Sequence, residues 1–433
     1  MPVEKKAVIR VKFNPYYTNS MELPITIFDE IKIIESCNMF LPTMELSFRD
    51  PVAAYFDEAG TAFVRVGLSA TEDDPGLVGD WAILSMKESS PPYAKEPWNQ
   101  PRRFTAVPVY GIPFLIWARR YSYGEDTSSE VFRKLVEFIL EKLDMYPVFS
   151  DDTFEATADK AIYIQPGWPP LKFIWYLADK AFNYKGHGGF MAWTDLVRLP
   201  VDFDGAEINP PRVNFCTPSY LIRNSTKHEF VITYDPKVIS EAENNNGISS
   251  DGKRVGFGFS MMYTEAFNVY DYGRTVSVYS LKDKKAIEAY YAYDDFSFEH
   301  LQPDKKTYRY YDPLYDSIIT KRYKPNLYEY GGHISLEWSN LGFDFETKAL
   351  ASRSPHRSFM KRCVSILTYA SPEIQVGQKV SLEFPLSISG KQRFYAVDGD
   401  WLITKIIHFA KAPGQKYIMK LVLSRDEYLG DVL

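Results

Sequence analysis

The sequence predicts a mainly β chain of α+β class, with two barrels or sandwiches in one polypeptide and a small helix-bearing unit between them. Three observations carry this. Apolar residues recur with a period of two near the N-terminus, two capped helices follow in the middle, and a three-strand unit occurs once at each end. The 433 residues allow roughly three domains of about 150 residues each. With 45% hydrophobic and 24% charged residues the chain is predicted to fold rather than stay disordered.

From Ala7 to Ala70 the alternation is direct: Ile9, Val11 and Phe13; Ile25 and Ile27; Ile31 and Ile33; then Met44, Leu46 and Phe48 between Glu45, Ser47 and Arg49. Such spacing puts apolar side chains on one face of half-buried strands. TAFVRVGLSA reads as a further strand, TEDDPG as a turn and WAILSM as the next strand, so residues 1–125 form a first all-β domain. At Thr127 the period changes. TSSE is a capping box, and Val131, Leu135, Phe138, Ile139 and Leu143 follow on one helical face to about Met145. A second helix opens at Pro169-Pro170, carries Leu171, Ile174, Trp175, Ala178 and Phe182 on one face, and stops near Gly186. These helices define a small mixed domain at 126–215.

TKHEFVITYDP resumes the strands, within a second β domain at 216–239 and 353–433. Between its parts lies an inserted domain at 240–352, where 14 of the 31 tyrosines fall between Met261 and Tyr330; VSVYSL and HISLEW there read as short strands. Ser354-Pro355 is expected to open a helix with Phe359, Cys363, Ile366 and Leu367 on one face. After Pro372 the chain reads as β to its end.

The repeat joins the two β domains. Gly60, the strand AFVRVGL, then Gly79-Asp80-Trp81-Ala82-Ile83-Leu84 and FTAVPVY match Gly377, KVSLEF, then Gly399-Asp400-Trp401-Leu402-Ile403-Thr404 and YIMKLVLS. The Gly-to-Asp spacings are 20 and 23 residues, a difference one loop absorbs. Trp81 and Trp401 are expected in the core or at a seam, with Asp80 and Asp400 at turns near the barrel rims.

Composition narrows the function. Fifty basic against 56 acidic residues, a net charge of −6, give no general drive toward a phosphate backbone, and no nucleic-acid sequence reader is expected. Cys37, Cys216 and Cys363 are odd in number and far apart, as in buried thiols of a reducing compartment. The N-terminus carries no signal-like apolar run, which implies cytosolic synthesis, and Val107 to Ala118 is too short and too rich in Pro and Gly to insert in a membrane. Aromatics at 16% with 31 tyrosines suit wet interfaces or carbohydrate faces.

VGQKVSLEF, FYAVDGDWLITKIIHFA and KYIMKLVLS, with IQPGWPPLKFIWYLADKAF in the middle and HEFVITYDP after it, resemble in order the baseplate central hub proteins of contractile-tailed bacteriophages. The hub portions of type VI secretion spikes are relatives. The resemblance implies two tail-tube-like β-barrels in one chain, a homotrimer, and a virion protein of the tail baseplate. Six similar barrels in three chains would adapt a sixfold tail tube to a threefold central spike. The implied partners are the tail tube protein, the central spike protein, other baseplate proteins and the tape measure.

No catalytic, metal or cofactor residue is assigned, and no cofactor is expected. His187, His228, His300, His333, His356 and His408 are scattered, without HExxH or paired cysteines, and His408, after an apolar strand, reads as a structural histidine. No GxSxG occurs, and GFGFS lacks the lysine and helix of a phosphate loop. Asp294, Asp295 and Glu299 among tyrosines would suit a polysaccharide hydrolase or glycan-binding module, the alternative to a structural role. Arg357, Lys361 and Arg362 in SRSPHRSFMKR, with Tyr290, Tyr291, Tyr310 and Tyr311, are candidate partner contacts. Subunit contacts are expected at edge strands.

Overall fold

The computed structural model describes residues 7–15, 21–24, 26–49, 62–70, 76–88, 102–196, 210–263, 274–280, 285–291, 301, 329–331, 362–371, 373–384, 398–411 and 416–425. The N-terminal strands are β1 (Val8–Phe13), β2 (Met21–Glu22), β3 (Phe28–Ser36), β4 (Thr43–Phe48), β5 (Phe63–Ser69), β6 (Leu77–Glu88) and β7 (Arg102–Pro108). Alternation does what it predicts in β1 and β4, where Ile9, Val11, Phe13, Met44, Leu46 and Phe48 point inward. Ile27 stands in the turn before β3 rather than in a strand. The ladder runs β3-β4-β7-β6-β5-β1-β2 around one core. There Phe48 packs against Phe104 at 4.9 Å and Phe13 edge-on to both, each burial contributing roughly 1.5–3 kcal/mol.

The middle of the chain holds α1 (Ile112–Ile116), β8 (Arg120–Asp126), α2 (Ser128–Glu141), β9 (Val148–Phe154), β10 (Ala161–Pro166), α3 (Pro170–Lys180), β11 (Met191–Asp195), β12 (Arg212–Cys216) and α4 (Pro218–Asn224). The first 125 residues are therefore not purely β, because Pro113 starts the short α1. Thr127 caps α2 through the expected box with Glu130. The buried arc of α2 includes Phe132 and Leu140, while Phe138 faces outward under the Arg119 guanidinium at 4.3 Å. In α3 the arc is shifted too: Phe173, Ile174, Leu177 and Ala178 are buried and Trp175 is exposed. Phe173 displaces it by stacking on Tyr123 at 5.8 Å. The helix ends at Lys180, before the turn that holds Gly186 at φ 75°.

The remaining elements are β13 (Lys227–Ile232), α5 (Pro236–Asn244), β14 (Arg254–Tyr263), β15 (Arg274–Ser280), β16 (Lys285–Tyr291), β17 (Glu329–Gly331), β18 (Arg362–Tyr369), β19 (Lys379–Glu383), β20 (Gly399–Lys411) and β21 (Lys416–Ser424). The helix expected after Ser354-Pro355 is not present at Cys363, Ile366 and Leu367, which lie in strand β18; Phe359 lies outside the described residues. Val364, Ile366 and Thr368 are buried at a period of two, and ladders to β14 and β21 on both edges override the local helical spacing. Strand β14 falls inside the stretch read as an insertion, yet it pairs with β13 and β18. VSVYS of that segment lies in β15, in a small sheet of order β16-β15-β17; HISLEW lies outside the described residues.

The C-terminal strands close a six-stranded barrel, β13-β19-β20-β21-β18-β14, with β13 pairing back onto β14. Counted by position within each set, the N-terminal strands β1-β5-β6-β7-β4-β3 follow the same spatial order, first-fourth-fifth-sixth-third-second. One difference is the first strand. β1 runs antiparallel to β5, whereas β13 runs parallel to β19.

Candidate functional site: the repeated strand unit and the barrel seam

The repeat is a matter of register as well as sequence. Val64 stands opposite Trp81 and Arg65 opposite Asp80; Val380 stands opposite Trp401 and Ser381 opposite Asp400. The Ile83 amide donates to Ala62 O at 3.0 Å, and Ile403 to Gln378 O at 2.8 Å. Three residues past each Trp the ladder to the next strand skips a residue, Leu84 in β6 and Thr404 in β20. Such bulges bend a strand and raise its twist at one place. A second matched pair of bulges skips Asp29 in β3 and Phe257 in β14.

The Gly-Asp-Trp tripeptides are not turns. Asp80 and Trp81 lie inside β6, and Asp400 and Trp401 near the start of β20. Asp80 is buried in a two-pronged ion pair with Arg65, at 2.6 and 2.8 Å. Asp400 instead pairs with Lys227 at 2.7 Å in a more open setting. Trp81 and Trp401 both enter cores, and the Arg425 guanidinium lies 4.1 Å over the Trp401 ring. Gly377 adopts φ 88°, and a Cβ there would lie 3.0 Å from Trp193 Cζ2. Aligned on the tryptophan partners Val64 and Val380, Gly377 falls level with position 61; Gly60 itself lies outside the described residues.

The two strand sets meet along β3 and β20, antiparallel from Ser36 opposite Lys405 to Glu30 opposite Lys411. Upstream of Thr404, β20 pairs with β19 and closes its own barrel; downstream it pairs with β3. The bulge is the switch. Thr404 O accepts the Cys37 amide at 3.1 Å and the Ser36 hydroxyl at 3.2 Å. Beyond it, His408 Nε2 meets Glu35 Oε1 at 2.8 Å and His408 Nδ1 meets the Tyr417 hydroxyl at 2.8 Å. The Leu196 amide donates to the other carboxylate oxygen of Glu35 at 3.2 Å. Both side chains are fully buried, so each needs these partners.

Other buried polar groups also hold structure. Asp159 accepts from the Ser128 amide and from the Tyr163 hydroxyl at the start of α2, and Glu155 accepts from the Thr217 amide and hydroxyl at the start of α4. Burial raises both carboxyls, and the same hydrogen bonds oppose it. Burial likewise pushes the Cys37 and Cys216 thiols up, which makes them poor nucleophiles. Among the described residues no group of three or more His, Cys, Asp or Glu is placed to hold a metal, and no helix is long and apolar enough to cross a membrane.

Of the candidate contacts, Arg362 lies on β18 opposite Tyr263, Tyr290 opposite Thr275 and Tyr291 opposite Arg274. Arg357, Lys361, Tyr310, Tyr311, Asp294, Asp295 and Glu299 lie outside the described residues. Sequence reasoning missed several exposed apolar residues of the middle unit, Ile116, Trp117, Tyr121, Ile162 and Ile164. The signal for the last two was the alternation of Ile162 and Ile164 with Tyr163 and Gln165.

The strand order is thus built twice, and the C-terminal set closes a six-stranded barrel. No protein-family profile and no curated protein matches the sequence. Among solved structures the chain is similar to a tail protein from Neisseria meningitidis MC58, at 10% identity and TM-score 0.53 over 97% of both chains. It is also similar to the 43 kDa tail protein of prophage MuSo2 from Shewanella oneidensis, at 8% identity and TM-score 0.54 over 97% of this chain and 98% of that one. An Escherichia coli component of the type VI secretion system aligns with 96% of this chain and 76% of its own, at 10% identity and TM-score 0.48. The mainly β fold expected from the sequence is observed, with one closed six-stranded barrel and a second strand set of the same order, and it is similar to the fold of these two tail proteins.

Proposed function

We propose that the chain is a structural protein of a contractile injection machine, a trimeric baseplate hub that joins a sixfold tail tube to a threefold central spike. The observation that carries this reading is the strand set built twice in one order and joined by the continuous β3–β20 ladder. A chain with two like units forms six positions from three copies, which is what a threefold-to-sixfold adaptor requires. The solved tail proteins of the same fold support the tail assignment.

In this reading the first barrel takes residues 1–125 and the mixed domain 126–215. The second barrel takes in β13 and β14 as well as β18 to β21, and the Tyr-rich insertion follows β14. Its partners are the tail tube protein, the central spike protein and neighbouring baseplate proteins. The protein is made in the host cytoplasm, ends in the virion tail and catalyses no reaction. Light scattering of the purified protein tests the reading: three copies of 49.9 kDa give about 150 kDa, and electron micrographs are expected to show a six-lobed ring. A species with two or four copies would overturn it.

A further inference from the structure

The sheet that joins the two strand sets has two faces, and the cores use one of them. Ile31 and Ile33 of β3, Ile406 and Ala410 of β20, and Met419 and Leu421 of β21 are buried in those cores. Their alternates stand on the opposite face. There Ile34, Ile407, Phe409, Ile418 and Val422 are half-buried and belong to neither core. The registers fix how they lie. Ile407 stands opposite Ile34 on one side and Lys420 on the other; Lys405 stands opposite Val422, and Phe409 lies between Lys32 and Ile418. Lys405 is also two residues from Ile407 on its own strand, and Lys32 is its diagonal neighbour across the seam, about 7–8 Å away in such a sheet. Three lysines therefore surround one isoleucine.

Charge on this face is unbalanced. Lys32 meets Glu45 at 3.2 Å, whereas Lys405 and Lys420 have no ion pair among the described residues. Burial weakens the hold of Lys405 on its proton, and the positive charges of Lys32 and Lys420 weaken it further. Aliphatic side chains set between unneutralised ammonium groups fit a ligand that brings carboxylates and apolar groups together. Nucleic acid fits the face less well, because the chain's net charge is −6 and the rows between the lysines are mainly aliphatic, with little for bases to stack on. From β4 through β3, β20 and β21 to β18 the five strands span about 19 Å, the length of roughly 13 helical residues.

We propose that this face, centred on Ile407, docks an acidic amphipathic segment of a partner protein, whose carboxylates reach Lys405 and Lys420 and whose aliphatic side chains cover Ile407, Ile34 and Val422. The lysines select for charge and fix the register, and the aliphatic rows supply the buried area. The surface lies within one chain and needs no particular number of copies. It goes beyond the hub reading, which names partners without assigning any of them a surface.

The probe is a fluorescein-labelled synthetic helix of about 14 residues, built of Glu and Leu with the leucines on one face. A helix with Ser in place of Leu and a thymidine oligonucleotide serve as comparisons. In fluorescence anisotropy at low salt the Glu/Leu helix is expected to bind the full-length protein roughly tenfold more tightly than either comparison. Lys405→Gln with Lys420→Gln is expected to weaken it roughly tenfold and Ile407→Thr roughly threefold. Lys134→Gln with Lys160→Gln, at two exposed lysines of the middle unit, is expected to change nothing. Thermal unfolding checks that the variants fold as the parent does. In the unaltered protein, carbodiimide coupling followed by mass spectrometry is expected to join probe carboxylates to Lys405 and Lys420. Equal binding of the oligonucleotide, binding that survives the lysine changes, or no binding overturns the proposal. So does coupling of either lysine to this protein's own carboxylates, whether in the acidic C-terminal stretch 426–431 or in a second copy, because the face then has another occupant. None of these outcomes bears on the number of copies, so failure here leaves the hub reading to its own light-scattering test.

Discussion

His408 and Glu35 are 373 residues apart and meet at 2.8 Å across the seam between the two strand sets. A buried imidazole facing a buried carboxylate is tolerable only as a pair. Replacing His408 by Ala leaves Glu35 without its chief side-chain partner and is expected to cost about 3–5 kcal/mol. Replacing both by Leu is expected to cost much less than the sum of the single changes. Urea denaturation of the single and double variants measures both.

The repeated aspartates are expected to behave differently. Asp80→Ala removes the two-pronged carboxylate partner of the buried Arg65 and is expected to cost about 3–5 kcal/mol, whereas Asp400→Ala removes the partner of an exposed Lys227 and is expected to cost about 0–1 kcal/mol. Equal losses in thermal unfolding would contradict the distinction.

Trp401→Ala removes a 3% exposed indole from the closed barrel and the face under Arg425. The expected loss is about 3–5 kcal/mol, with a comparable loss for Trp81→Ala in the other core. Calorimetry of the two variants checks this, and a fully stable variant would show that the indole is not a core residue.

Stability is expected to fall on mild acidification because of His228. Burial lowers its affinity for a proton below the ordinary 6.5, with Arg254 adding to it and the Gln378 hydrogen bond opposing it. The unfolded chain then binds the proton more readily, so this contribution is full above about pH 7 and is lost as pH drops through 6.5. Urea midpoints at pH 8 and 5.5 are expected to converge in His228→Gln relative to the parent.

Much of the fold was legible in local pattern. Alternation located β1 and β4, the TSSE box located the start of α2, and the paired Gly-Asp-Trp segments located β6 and β20. These signals are local because a side chain's face depends only on the period of its own element. Val131, Leu135 and Ile139 of α2 and Ile174 and Ala178 of α3 are buried as read, whereas Phe138 and Trp175 face outward and Phe173 is buried instead, stacked on Tyr123 from another strand.

The rest depended on distant chain. Cys363, Ile366 and Leu367 have a spacing that a helix also satisfies, and only ladders from β14 and β21 make them strand. Nothing near His408 in sequence announces Glu35, and nothing near Thr404 announces that β20 changes partners there. The duplicated order of residue types thus established two like β units and a helical spacer, because periodicity and capping act within a few residues. Which strands pair and where the barrel closes were decided by tertiary structure, because a backbone hydrogen bond across a sheet joins residues hundreds of positions apart.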